Sequence, residues 1–247
     1  MNELMIVTGG GRGIGRATSL GAARAGYDVV VNWARDREAA ESTAAACLDL
    51  GVRALAVRAD VSDEAAVAAM FDRAAEIGTP SVLVNNAGIL HQQMRFDEMT
   101  VDRWREVFEV NVIGAFLCAR EAARRMSTLH GGLGGSIVNV SSAAAYLGSP
   151  GEYVDYAATK AAIDTLTIGL GRELADEGVR VNAVRPGVIT TEIHASGGEP
   201  GRAARVAASV PMKRPGDADE VAAAILWLAS REASYVTATT LDCSGGR

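Results

Sequence analysis

The sequence predicts an α/β fold: one domain over residues 1–247, built on a seven-stranded parallel sheet with helices on both faces. Three features lead there. Short all-apolar runs, Leu4-Met-Ile-Val7 first among them, have the length and composition of strands buried on both sides. Stretches of helical length separate these runs, and several close on a glycine, as at Gly26, Gly51 and Gly178. The alternation continues without an internal repeat or a Pro- or Ser-rich linker, so parallel order with right-handed crossovers is expected.

Strands are expected at residues 4–7, 28–32, 53–59, 81–84, 137–140, 179–184 and 239–242. Helices are expected from the first glycine turn to about Ala25, then over 36–50, 63–77, 101–126, 152–177 and 217–230. An apolar fraction of 49%, with 27 glycines besides, suits a doubly covered sheet. Net charge is -6 with both signs scattered along the chain, so no nucleic-acid partner is expected. No apolar run reaches membrane-spanning length, and Leu4 opens a strand where a signal peptide would stand. Cys47, Cys118 and Cys243 lie far apart, as do His91, His130 and His194, so no metal site is expected. Free thiols and no export signal point to the cytoplasm.

The first strand runs into Thr8-Gly9-Gly10-Gly11-Arg12-Gly13-Ile14-Gly15, and a helix follows. Strand, glycine-rich turn and helix place an anion such as a pyrophosphate at a helix N-terminus, where free N–H groups and the dipole favour it. Gly9, Gly13 and Gly15 let the backbone approach without a Cβ in the way. The spacing G-x-x-x-G-x-G departs from the common G-x-G-x-x-G fingerprint. A nucleotide-hydrolase loop is excluded, because Gly15 is followed by Arg16 and Ala17 rather than Lys and Ser/Thr.

The second strand ends at Asn32, where an acidic residue would bind a ribose 2′-hydroxyl. Arg35 follows three residues on, and Arg12 lies in the glycine loop. Two guanidinium groups there favour a 2′-phosphate. The opposing reading has Asp36 folding back to take the hydroxyl, with both arginines solvated. The third strand leads into Asp60-Val61, where Asp60 either accepts from an adenine amino group or opens the turn to the next helix. The fourth gives onto Asn85-Asn86-Ala87-Gly88, at the carboxyl end of a buried strand where ligands of open α/β sheets bind. Asn111, on a run with Val110, Val112 and Ile113, is a helix kink, a buried hydrogen bond or a site residue.

The fifth strand runs into Ser141-Ser142, and a helix carries Tyr156 and Lys160 on one face. Ser149, Pro150 and Glu152 fit its N-cap, first position and capping-box glutamate. An ammonium beside a phenol lowers the phenol pKa and makes a general acid or base of it. The sixth strand leads to Pro186-Gly187-Val188-Ile189-Thr190-Thr191 at the same edge. Residues 192–211 break the strand–helix rhythm and are expected to form a mobile lid.

Thr-Gly-x-x-x-Gly-Ile-Gly at 8–15, Asn-Asn-Ala-Gly at 85–88, Asn111, Ser142, Tyr156-x-x-x-Lys160 and Pro186-Gly187 resemble the motif set of the short-chain dehydrogenases/reductases. They come in the family order and span essentially the whole chain. Within the family the chain is most similar to 3-oxoacyl-carrier-protein reductases and sugar 1-dehydrogenases. The resemblance implies a Rossmann-type sheet, a homotetramer and a nicotinamide dinucleotide as hydride carrier. It implies Tyr156 as acid/base, Ser142 orienting the substrate oxygen, and Lys160 lowering the tyrosine pKa and binding the nicotinamide ribose. Asn111 would support a proton relay, and Thr191 would lie near the carboxamide. Gly9, Arg12, Gly13, Ile14, Gly15, Asn32, Arg35, Asp60, Val61, Asn86, Ala87, Gly88, Pro186, Gly187 and Ile189 complete the expected cofactor site. The interval from Ser142 to Tyr156 is one residue longer than in much of the family, so Ser141 stays a substitute.

The expected activity is NADP(H)-dependent reversible hydride transfer between nicotinamide and a carbonyl compound or secondary alcohol, with NAD the less favoured carrier. Alternatives are an idle dinucleotide-binding sensor, which would not need the tyrosine, and an NAD-dependent sugar 1-dehydrogenase. The helix of residues 152–177 is expected in a subunit interface. Ala157, Ala158, Ala161 and Ala162 give it a small-residue surface, and Ile163, Leu166, Leu170 and Leu174 an apolar stripe.

Overall fold

Leu4, Met5, Ile6 and Val7 are all fully buried, although side chains along a strand alternate between its faces. Leu4 and Ile6 enter one core cluster and Met5 and Val7 the other, so this strand has a hydrophobic layer on each side. The computed structural model describes residues 3–192 and 197–247. The strand, β1 (Leu4–Val7), is joined by β2 (Asp28–Trp33), β3 (Ala54–Arg58), β4 (Pro80–Asn85), β5 (Gly135–Val140), β6 (Val179–Pro186) and β7 (Thr240–Cys243). All pair in parallel in the order β3-β2-β1-β4-β5-β6-β7.

Helices α1 (Gly13–Arg24), α2 (Arg37–Asp49) and α9 (Ala218–Ala229) cover one face, contributing Leu20, Ala44 and Ile225 to its core. Helices α3 (Glu64–Ala75) and α5 (Gly114–Met126) cover the other with Met70, Phe71, Cys118 and Ala122. Between them in the chain come α4 (Val101–Phe108), α6 (Ala144–Leu147), α7 (Val154–Glu173) and α8 (Arg202–Ala207). No helix among the described residues is long and apolar enough to cross a membrane. Cys47 and Cys118 are buried thiols that burial pushes up to about 11 and about 12, far from a reactive thiolate.

The strand order reverses between β1 and β4. Their carboxyl ends therefore part into a crevice, the position where ligands of open α/β sheets bind. The glycine loop after β1 and the Asn85–Gly88 turn after β4 both open there.

Two local expectations need correction. The stretch 101–126 is not one regular helix: α4 passes through a single π turn, Glu109–Ile113, before α5 begins. Asn111 sits in that turn. Nor does the helix bearing Tyr156 begin at Ser149. It starts at Val154, and Tyr153 at its N-cap makes no side-chain cap. Ser149 and Gly151 take left-handed backbone angles (φ 44° and 72°) around Pro150, and Glu152 and Tyr153 donate their N–H groups to the Ser149 carbonyl. A residue before proline is pushed out of the right-handed helical region, so Ser149-Pro150-Gly151 makes a turn instead. The helix start is held by Asp155, which accepts the Tyr156 N–H at 2.9 Å and a bidentate pair of bonds from Arg103 at 2.6 and 3.2 Å.

Candidate active site

Gly13 opens α1 with φ 49°, and a Cβ on Gly15 would stand 2.2 Å from the Gly9 carbonyl oxygen. Only glycine fits there. Arg12, the N-cap residue, is extended and caps nothing with its side chain, and the first turn carries no acid. Its orphan N–H groups therefore face outward for an anion, in a cradle that a Cβ would fill. Thr8 ties this loop to the β4 turn: its Oγ1 accepts the N–H groups of Asn86 and Ala87 at 2.9 and 3.0 Å. The Asn86 amide donates back to the Thr8 and Gly9 carbonyls at 2.8 and 3.1 Å. These residues fit a dinucleotide pyrophosphate.

The crevice holds two cavities that share Gly88. The outer one, about 180 Å³, is lined by Gly9, Arg12, Asn32, Arg35, Asp60, Val61 and Ala87. Asn32 is buried, and its amide is engaged: Oδ1 accepts the Gly9 N–H at 3.1 Å and Nδ2 donates to Ala59 O at 3.0 Å. It braces the loop and leaves the β2 end without a carboxylate. Asp36 caps α2 through the Ala39 N–H and pairs with Arg12 at 3.4 Å. Arg35 is largely exposed and reaches Glu106 at 3.5 Å. Asp60 opens the turn to α3, its Oδ1 accepting from the Ser62 hydroxyl and N–H, which hold its carboxyl below the usual range.

The inner cavity, about 140 Å³, is lined by Ile14, Asn86, Ser142, Tyr156, Lys160, Pro186, Gly187, Ile189 and Thr191, among others. Gly13 adjoins it, since a Cβ there would lie 3.3 Å from Thr191. Gly187 is needed as well, because its Cβ would meet the Ser244 backbone at 2.7 Å. Ser141 and Ser142 both border this cavity but are engaged differently. Ser141 turns inward and donates to the Lys160 carbonyl at 3.1 Å, whereas Ser142 accepts the Ala144 N–H at 3.1 Å and lines the cavity with Tyr156. Asn111 does not line the cavity. Its amide exchanges two bonds with the Ile89 backbone at 2.7 and 3.0 Å and donates to Thr159, which bonds the Tyr156 carbonyl.

Lys160 sits 5.5 Å from the Tyr156 ring centroid and donates to Val140 O at 2.7 Å. The expected depression of the tyrosine pKa is not what the protein alone produces. Burial raises Tyr156 to about 12, against a smaller lowering by the Ser142 hydrogen bond and the Arg202 charge. Burial also lowers Lys160 to about 8, opposed by Asp164 one helical turn on. Desolvation outweighs the neighbouring charge for both groups.

Of the segment expected as a lid, residues 193–196 lie outside the described ones. The rest brings a residue that the sequence did not single out: Arg202, in α8, lines the inner cavity and pairs with Glu152 at 2.6 Å. Tyr153 lines the same wall.

A family model described as enoyl-(acyl carrier protein) reductase matches residues 9–247. The chain belongs to the short-chain dehydrogenase/reductase family. This family member is an oxidoreductase acting on CH–OH or carbonyl groups, on a Rossmann-type sheet. It is 54% identical over 245 residues to the uncharacterized oxidoreductase YgfF of Escherichia coli, covering 99% of each chain. It is 38% identical to glucose 1-dehydrogenase 2 of Bacillus subtilis, over 98% of this chain and 93% of the relative. Among solved structures, a short-chain dehydrogenase from Burkholderia cenocepacia in complex with NADP superposes with a TM-score of 0.90 at 34% identity. That match covers 99% of this chain and 97% of the other.

Proposed function

We propose that the protein is an NADP(H)-dependent carbonyl reductase and alcohol dehydrogenase with Tyr156 as general acid/base. The observation that carries this is the gathering of Ser142, Tyr156 and Lys160 in the wall of one inner cavity, with the Lys160 ammonium 5.5 Å from the Tyr156 ring centroid. A bound reduced nicotinamide supplies the hydride that a carbonyl carbon accepts. The protein's part is to hold the carbonyl oxygen with Ser142 and pass it the Tyr156 proton, giving an alcohol. A tyrosine raised to about 12 keeps that proton through neutral pH, which suits it to the acid role in reduction. Lys160 stabilises the tyrosinate left behind and holds the nicotinamide ribose. Asn111 and Thr159 steady the helix beneath them and border the route by which the proton is replaced.

NADP is favoured over NAD by the carboxylate-free end of β2 and by Arg12 and Arg35 on the rim of the outer cavity. The NADP complex of the Burkholderia relative agrees with that choice. For assembly we favour a homotetramer. The apolar stripe on α7 serves this chain's own core, with Ile163 and Leu174 buried. The surface left for a partner includes Ala158 and Ile168 on α7, with Phe108, Ile113 and Phe116 exposed on the α4–α5 run. The test of this reading is an initial-rate screen of NADPH and NADH against small ketones, diones, acyl thioesters and, in reverse, sugars. Turnover of carbonyl compounds with NADPH is expected; oxidation of sugars with NAD alone would contradict it.

A further inference from the structure

Arg202 stands in the wall of the cavity that holds Ser142 and Tyr156, and its surroundings fix how it can be used. Its guanidinium lies 5.5 Å from the Tyr153 ring centroid, so an aromatic ring covers one face and the N–H groups point out in the plane. Nη2 is spent on Glu152 at 2.6 Å, and the side chain is only 13% exposed. Nε is buried without an acceptor among the described residues. A charged donor left unsatisfied in a buried position is costly, and native proteins keep few of them.

Charge decides which acceptor is missing. Glu152 neutralises Arg202, and Arg205 bridges Glu152 at 3.3 Å and Glu199 at 2.8 Å. Two carboxylates therefore match two guanidinium groups, and the cluster offers an incoming anion no net attraction. Nη1 makes no hydrogen bond among the described residues, and its in-plane N–H groups suit a neutral oxygen. Leu90, Ala144 and Ile189 leave much of the remaining wall apolar, and the cavity of about 140 Å³ has room for a compact molecule.

We infer that Arg202 is a specificity-determining residue whose guanidinium donates to a second oxygen of the substrate from the cavity wall. The site thus takes small carbonyl compounds bearing a further neutral oxygen acceptor, hydroxyketones or diones, ahead of plain ketones. This rests on the carbonyl reduction proposed above. Sites built to bond a substrate oxygen discriminate strongly against analogues that lack it, because the site's own polar group is then left unpaired.

The test compares kcat/KM with NADPH for butane-2,3-dione against butan-2-one, and for pentane-2,4-dione against pentan-2-one. Diones are intrinsically more electrophilic, so the readout is the change in the dione-to-ketone ratio between the wild type and Arg202→Met. A fall of about tenfold to a hundredfold in at least one pair is expected, the worth of one charge-assisted hydrogen bond. Arg202→Lys keeps the pairing with Glu152 and the fold but loses the planar second donor, and its ratio should fall likewise. Folding of each variant is checked by circular dichroism and NADPH binding. A wild-type ratio retained in whichever variant folds overturns the inference, as does a wild type that prefers acetoacetate to the diones. Wild type turning over none of these carbonyls would instead defeat the underlying reading of the site.

Discussion

Lys160 donates its ammonium to the carbonyl oxygen of Val140 at 2.7 Å, at the point where β5 ends and the serine pair begins. The bond anchors a buried cation beside Tyr156. The charged group acting on it is Asp164 of its own helix, whose Oδ2 also accepts from Arg185 of β6 at 2.9 Å. Burial holds Lys160 at about 8, below the usual lysine value of 10.5, and Asp164 works in the opposite direction. The stability contributed by this group is thus fully present above the unfolded value and lost as pH falls through about 8. Function runs the other way, since the charged form disappears as pH rises.

Cofactor affinity should therefore decline as pH climbs through about 8, and Asp164→Asn should move that decline to lower pH by removing the carboxylate that favours the ammonium. Fluorescence titration with NADPH across pH 6–10 checks both. An Asp164→Asn profile superimposable on the wild type would show that Asp164 has no hold on Lys160.

Coenzyme choice is expected to reside in the two rim arginines. Among the described residues, Arg12 and Arg35 are held by long, exposed pairs to Asp36 and Glu106, 3.4 and 3.5 Å, so each is readily redirected to a 2′-phosphate. Arg35→Ala should cut the NADPH-to-NADH ratio of kcat/KM by about tenfold or more, one charge-assisted contact being worth roughly 1.5–3 kcal/mol. An unchanged ratio in Arg35→Ala and Arg12→Ala alike, or a wild type favouring NADH, contradicts the assignment.

Asn32 carries a structural burden that its position at the cofactor edge hides. Replacing it by aspartate removes the donor to Ala59 O and sets an anion against that carbonyl. Asn32→Asp should cost about 1–3 kcal/mol, or several degrees of thermal midpoint in a chain of this size. Thermal unfolding followed by circular dichroism checks this, and a midpoint equal to the wild type would mean that the Asn32 bridge contributes nothing.

These cases also separate what the sequence makes legible from what it does not. The strands could be read because burial on both faces leaves unbroken apolar runs such as Leu4–Val7, and the glycine loop because close approach to Gly9 tolerates no Cβ at Gly15. Ser142 and Ser141 could not be told apart, since the difference lies in where two adjacent hydroxyls turn at the strand end. The start of α7 was misread because Pro150 serves equally well as a first helical residue and as the centre of a turn. Its true anchor, Arg103 on Asp155, crosses 52 positions of sequence. Arg202 was invisible for the same reason: its alanine-rich stretch has no marking pattern, and its partner Glu152 lies 50 positions away. The tyrosine pKa was misjudged because spacing reports a neighbouring charge but not the depth of burial.

The central claim, that Tyr156 delivers the proton, is tested most directly by Tyr156→Phe, with single-turnover carbonyl reduction and NADPH affinity measured on the same preparation. The substitution keeps the ring beside Lys160 and removes the phenol hydroxyl from the cavity wall that Ser142 shares. The rate of reduction should fall by about a hundredfold to ten-thousandfold, the span of general acid catalysis, with the NADPH dissociation constant nearly unchanged. A variant that binds NADPH normally and keeps more than a small fraction of the wild-type rate would show that the proton comes from another group.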